Sequence, residues 1–320
     1  MIKLDLKSLL LNIFQEDKSK NEAHTVFSQL AMITIKSLMP SDKTIGNTID
    51  YKRFEEELKL LRYYKLDAYN HFKRNLDETE YFNYKDKTLY SRILPIILSN
   101  KDYGIVEEEV IKNIIYTTGN IETLLEGLTI SKVLFLAIED GQNLLEALKQ
   151  YIINLSQVEY LEKYRDLYQY DLLKNDVNFE VSFERERVSL ITLLHGIDMG
   201  KFKDVKDILK VLEGEEAKTS LGRIIFNSIK EKPLEYDMED SYERMGDYIL
   251  KLRNSRIDPD ALKIERYELP DIFKFEEGEV FFHSLLNHSK VIKKETKDDS
   301  LISLIQTRAG MYLFNRDPFN

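Results

Sequence analysis

The chain reads as a mainly α-helical bundle with a small C-terminal antiparallel β subdomain. Three observations predict this. Through most of residues 1–255, apolar side chains recur every three or four positions, the spacing of amphipathic helices. One stretch, residues 121–137, is apolar on nearly every side, and a helix of that kind without a membrane signal is a buried central helix. After Pro259 the pattern changes to short runs of Phe, Val, Ile and Leu around glycine turns, a hairpin signal. The expected division is an all-α domain over 1–255 and a β-rich subdomain over 256–320, with the boundary near Arg256 to Pro259.

The elements follow in order. Residues 4–14 predict a first amphipathic helix, and 21–38 a second with Phe27, Leu30, Ala31, Ile33 and Leu38 toward the core. Turn chemistry occupies 39–47. A long helix is expected over 51–76, where Phe54, Leu58, Leu61, Ala68 and Phe72 keep one face, and a polar, tyrosine-rich segment over 77–88. Short apolar and amphipathic helices are expected over 90–98 and 106–116. Thr117-Thr118-Gly119-Asn120 then breaks the chain: Gly119 suits the left-handed stop of one helix, Asn120 the N-cap of the next, and Glu122 the positive end of its dipole. Further helices are predicted over 143–155, 158–173, 185–195, 202–212, 220–230 and 242–253. Alternation at Phe179, Val181 and Phe183 predicts a short extended piece over 178–183. In the tail, one hairpin is expected to pair the Phe273–Phe275 run with Val280–Phe282 across Glu276–Glu279. A second is expected to pair 301–306 with 311–315, and the resulting sheet to pack on the helices or on a second chain.

Composition excludes several classes. A formal net charge of −10 argues against nucleic acid and anionic membranes as partners. The absence of cysteine removes disulfides, thiolate zinc sites and thiol catalysis, and with it a cytoplasmic location is expected. The N-terminal apolar run carries acids and lysines, unlike a signal peptide or a membrane span. No phosphate loop, dinucleotide fingerprint or serine elbow is present. His24, His71, His195, His283 and His288 are scattered, and none forms a defensible ligand spacing. The acidic run Asp237, Glu239, Asp240 and Glu243 reads as a solvated helix start. The tyrosines at Tyr63-Tyr64 and from Tyr160 to Tyr170 read as packing groups.

Three short segments, in order, resemble the motifs of the ADP-ribosylglycohydrolase family. The first is Thr25-Val26-Phe27-Ser28-Gln29-Leu30-Ala31 running on to Lys36-Ser37-Leu38, against a family pattern T-D-D-T-x-M-A. The second is Arg92-Ile93-Leu94-Pro95, against the end of G-N-G-x-x-M-R-x-x-P, with Asp86, Lys87 and Thr88 in place of its glycine-rich start. The third is Thr117-Thr118-Gly119-Asn120-Ile121-Glu122-Thr123, against T-H-x-H-P-x-A, with Gly127 where the family often has glycine. The resemblance spans about residues 20–160 and follows the frame more than the motifs. It implies an orthogonal helical bundle with a cleft that in the family holds two magnesium ions and hydrolyses ADP-ribose conjugates.

Each departure falls on chemistry. Hard divalent cations need several carboxylate oxygens at one point. Val26 and Phe27 stand where the family has aspartates, and Thr118 and Asn120 where it has histidines. Ala217-Lys218-Thr219-Ser220, in the place of the last motif, has no aspartate. The resemblance thus implies a fold retained and a magnesium site lost, with no catalytic residue, no metal ligand and no cofactor. Thr25, Ser28, Arg92, Thr117, Thr118 and Asn120 are the candidates for lining a residual cleft, with Arg92 available to a phosphate. The expected function is a non-catalytic binding module for a nucleotide-like small molecule or a protein partner. The alternative is an active hydrolase with a rearranged site, for which the sequence offers no carboxylate pair. A third expectation is scaffolding through open edges of the C-terminal sheet.

Overall fold

The computed structural model describes residues 4–21, 25–63, 76–139, 143–172, 176–230, 240–308 and 310–316. His24, His71, Tyr64, Ala68, Phe72, Asp237 and Glu239 lie outside the described residues. Two helices open the chain, α1 (Leu6–Asn21) and α2 (Val26–Ser37), followed by a short antiparallel pair, β1 (Leu38–Pro40) with β2 (Asn47–Ile49), within the segment expected to be loop. Next come α3 (Tyr51–Leu61), α4 (Glu78–Asn83), α5 (Leu89–Ser99), α6 (Tyr103–Thr117) and α7 (Ile121–Ile138). The helical series ends with α8 (Leu144–Asn154), α9 (Gln157–Tyr164), α10 (Asp176–Leu194), α11 (Lys203–Leu212), α12 (Ser220–Ile229) and α13 (Asp240–Arg253). Capping explains many of the starts. Asp50, Asp77, Asp102, Asn120, Ser156 and Thr219 each accept a backbone N–H from the first turn of the helix they precede, which satisfies donors that have no partner inside the helix.

The expected central helix is only half of the centre. On α7, Leu124, Leu125, Leu128, Ile130, Val133 and Leu134 are buried, but Phe135 and Leu136 stay partly exposed. The most enclosed helix is α5, buried at every position except Tyr90. It packs against α1, α2, α6, α7 and α13. Pro95 sits inside it without ending it. Leu9, Leu10, Phe14, Leu30, Ile93, Ile97, Val110, Ile114, Leu128 and Leu221 belong to one continuous apolar core around this pair of helices.

Two expectations are corrected. Residues 178–183 are helical, part of α10. Phe179 and Phe183 are four apart, a spacing that serves one helix face as well as alternate strand positions. Both are buried against the Tyr160 ring while Val181 between them is exposed. The first tail hairpin also has a different partner. Ile272–Lys274 is a 3-10 turn capped by Asp271, and Phe275 stacks flat on Phe281 with ring centroids 4.1 Å apart. β3 (Val280–His283) pairs instead with β4 (Asn287–Lys297), then β5 (Ser300–Thr307) and β6 (Gly310–Arg316), in the antiparallel order β3-β4-β5-β6. β4 is rich in exposed lysine and has no clean apolar alternation, so the sequence pattern hides it. The β5–β6 hairpin matches the expected one, with Leu304 opposite Leu313.

The sheet packs on the helical body. Phe281, Val291, Ile305 and Phe314 on its inner face cluster with Ile272, Phe273 and with Leu60 of α3. The Asn315 amide donates to the Tyr63 carbonyl at 2.6 Å. Arg316 pairs with Asp271 at 2.6 Å and lies over the Phe273 ring at 4.3 Å. A four-stranded sheet needs such a surface to be stable.

Gly127 tests the packing at the centre. A Cβ there would stand 2.5 Å from Ile114 Cδ1 and within van der Waals contact of Leu89. Overfilling a packed interior costs about 1–3 kcal/mol. Gly127→Leu is expected to lower the denaturant midpoint by at least that cost, and a midpoint equal to the wild type would show that α5, α6 and α7 do not meet there.

Candidate functional site

Thr25 and Ser28 meet an aspartate the sequence reading passed over. Asp17, on the last turn of α1, accepts hydrogen bonds from the Thr25 amide (2.7 Å) and hydroxyl (2.7 Å), and from the Ser28 amide (3.2 Å) and hydroxyl (2.6 Å). Asp17, Thr25 and Ser28 are all buried. The carboxylate closes the N-terminus of α2, where its charge opposes the helix dipole. The start of α12 repeats this. Asp207 of α11 accepts from the Lys218 amide at 2.9 Å and the Thr219 amide at 2.7 Å. Its carboxylate fills the space where a Cβ on Gly222 would lie. A carboxylate does therefore stand at the segment resembling the last motif, but it comes from the preceding helix and is engaged by backbone.

Arg92 is fully buried on α5. Its guanidinium donates to the Asp86 carboxylate, to the Asn113 main-chain and side-chain oxygens, and to the Thr117 hydroxyl at 3.0 Å. Asp86 also accepts from the Thr88 amide and hydroxyl at 2.8 and 2.6 Å. The reading of Arg92 and Thr117 as cleft residues is corrected: both turn inward, and the guanidinium is committed to holding α5 against α6.

Thr118 and Asn120 stitch the α6–α7 corner to α4. The Thr118 hydroxyl donates to the Tyr81 and Tyr84 carbonyls at 2.9 and 2.7 Å. Asn120 caps α7 through the Thr123 amide at 3.0 Å and donates to the Phe82 carbonyl at 3.2 Å. Gly119 is needed for packing, not for a left-handed turn, because a Cβ on it would lie 2.5–2.6 Å from the Phe82 and Tyr81 rings. Of the six candidates, only Asn120 lines a cavity. That cavity, of about 750 Å³, lies between α4, the start of α7 and α10. Ile121, Leu172, Phe82 and Phe179 give it apolar walls, and Asn83, Asn120 and Ser182 give it neutral polar groups. The sequence signals for it were the polar segment holding α4 and the Phe179–Phe183 face. Neither marks a cavity until α4 and α10 are brought together.

A second cluster joins α7 to α11. Glu126 accepts a hydrogen bond from the Asp204 amide, at the start of α11. Burial first, then the nearby Asp204 and Glu122, push the Glu126 carboxyl up to about 8. Burial also raises Asp204, against a bond from Thr219. Tyr90 completes the surroundings. Its ring stacks on Phe27 at 5.5 Å, it bonds Ser220, and burial raises its phenol, with Asp204 next in effect. The starts of α2, α11 and α12 thus converge near Tyr90 and Glu126. Sequence reasoning missed Glu126 and Asp204 because each reads as an ordinary helical acid. Among the described residues, no group of three His, Asp or Glu side chains is arranged to hold a metal ion. Of the remaining histidines, His195 lies on the surface with Nδ1 against the Ile191 carbonyl. His283 is buried under the sheet, where burial lowers it to about 4.

No family model matches this chain, and comparison with the curated proteins and with the solved structures found no match. No helix among the described residues is long and apolar enough to cross a membrane.

Glu126 makes stability depend on pH. Its folded value, about 8, lies above the model value of 4.5, so the folded state holds a proton that the unfolded chain has released over that interval. Stability from this group is full below the unfolded value and falls as pH rises through the folded one. The unfolding midpoint of the wild type is expected to drop relative to Glu126→Gln between about pH 5 and about pH 8. A constant difference across that range would contradict the buried, protonated carboxyl.

Proposed function

We propose that this protein is a non-catalytic binding module with an ADP-ribosylglycohydrolase-like frame, and that its ligand occupies the cavity between α4, α7 and α10. The cavity carries the reading. Its volume, about 750 Å³, is that of a small-molecule site, and apolar walls with a few convergent polar groups are the usual composition of one. Phe82 and Phe179 suit a flat ring, and Asn83, Asn120 and Ser182 suit its polar edge. The rim holds Glu78, Glu122 and Glu186 against Lys85 and Arg185. Lys85 already pairs with Glu122 at 2.6 Å, and Arg185 with Glu186 at 3.3 Å. This balance favours a neutral, nucleoside-like ligand over a diphosphate. The non-catalytic part of the reading is supported by the side chains at the resembling motifs. Val26 and Phe27 offer no carboxylate, and the oxygens of Asp17 and Asp207 are spent on helix starts. Calorimetry with adenosine and with ADP-ribose tests it. Adenosine is expected to bind more tightly, and Ser182→Phe, which fills the cavity from α10, to abolish binding while the protein stays folded. Binding unchanged in Ser182→Phe would place the ligand elsewhere.

One observation favours the second reading, a hydrolase with a rearranged site. Glu126 keeps its proton at neutral pH beside Asp204, and an acid paired with a second carboxylate is the equipment of glycoside hydrolysis. Its place at the start of α11 is equally explained by capping. Release of ADP-ribose from a modified protein that persists with chelator and is lost in Glu126→Gln would put this reading first. The expected result is no release by either protein.

A further inference from the structure

The outer face of the C-terminal sheet is exposed and has a marked pattern. Strand alternation sends Val280 and Phe282 of β3, and Met311 and Leu313 of β6, away from the helical body. Their exposures are 65%, 39%, 51% and 39%. Between these two apolar flanks runs β4, whose His288, Lys290, Lys293 and Lys297 are exposed. The registers make the layout specific: Lys290 stands opposite Val280 on one side and Gln306 on the other, and Lys293 stands opposite Leu304. From Val280 to Arg316 six Lys and Arg residues stand against three Asp and Glu, a local excess of positive charge in a chain of net charge −10. Lys293 is partly neutralised by Glu295 at 2.5 Å. Lys290 and Lys297 form no ion pair among the described residues.

From this pattern we propose that the outer sheet face docks an acidic, amphipathic segment of another protein, its apolar side chains on the flanks and its carboxylates over the lysine row. Other occupants fit less well. A second copy stacked through the same face would set lysine row on lysine row. Single-stranded nucleic acid needs free stacking rings, and the rings on this face, Phe282 and His288, already lie against each other at 5.3 Å. Strand addition at the edges is also hindered. β6 is met by the Tyr63 main chain, and the turn after β3 is held by the Ser284 amide donating to the Glu268 carbonyl at 2.9 Å. The face itself therefore remains as the docking surface, and the proposal is independent of the cavity between α4, α7 and α10.

The test uses the full chain and two labelled synthetic amphipathic helices, each with leucines on one face, one with glutamates and the other with lysines opposite. Fluorescence anisotropy is expected to show binding of the glutamate helix only, weakened by salt. Lys290→Glu with Lys293→Glu should weaken it by about tenfold or more, and so should Met311→Ser with Leu313→Ser. Both pairs are exposed, so unfolding midpoints should stay near the wild type. If one pair fails to fold, the other decides. Equal binding of the two helices, or binding untouched by the folded variants, would overturn the proposal. So would self-association lost in Met311→Ser with Leu313→Ser, or binding of an oligonucleotide or an anionic vesicle in preference to the glutamate helix.

Discussion

The fold depends on one buried charge. Arg92 lies at the middle of the most enclosed helix, with no exposed surface, and its counter-ion Asp86 is equally hidden. Removing two charges from water is expensive, and their attraction repays the cost only when further hydrogen bonds satisfy what remains. Here Asn113 and Thr117 of α6 and Thr88 before α5 supply those bonds. The arrangement orients α5 against α6, and α6 ends at the corner from which α7 starts. Apolar packing alone would permit several rotations of α5, since that helix is apolar on almost every side. The ion pair selects one.

Carboxylates do similar work at helix starts. Asp17 closes α2, Asp207 closes α12 and Glu126 meets the start of α11. In each case an acid from a neighbouring helix satisfies backbone donors that their own helix cannot. This use explains why acidic side chains gather where three helices begin without forming a metal site. A carboxylate engaged by two amide groups is held in place and has fewer oxygen lone pairs to offer a cation. The cavity lies to one side of this convergence, where aromatic groups of α4 and α10 leave room. The sheet, at the far end of α3, adds a charged surface of opposite sign to the rest of the chain.

Much of the candidate site was legible only as residue types. The break at Thr118-Gly119-Asn120 was legible as a corner, because glycine and a capping asparagine have local meaning. Gly119 nevertheless serves close packing against Phe82, which local sequence does not express. Arg92 was legible as a special residue, yet its direction was not: an arginine on an apolar helix reads the same whether it faces a phosphate or an aspartate six residues earlier. Val26 and Phe27 spoke plainly, since neither side chain has an oxygen. Asp204 and Glu126 were silent, because their closeness joins positions far apart in the chain.

By itself the sequence determined the helical class of the body, most helix positions, the corner before α7, the β5–β6 hairpin and the change of character after Pro259. These rest on local physics, on side-chain periodicity, caps and turns, that acts within a few residues. Only the tertiary structure decided which helix is most enclosed, whether 178–183 is strand or helix, which strand pairs with β3 and where the polar groups of each motif point. Residues 179, 181 and 183 fit two periodicities at once, and only the Tyr160 ring packed against Phe179 and Phe183 chose between them. The lysine row of β4 carries no apolar pattern of its own, and it becomes a strand because Phe281 and Ile305 on either side require a neighbour between them to bury Val291.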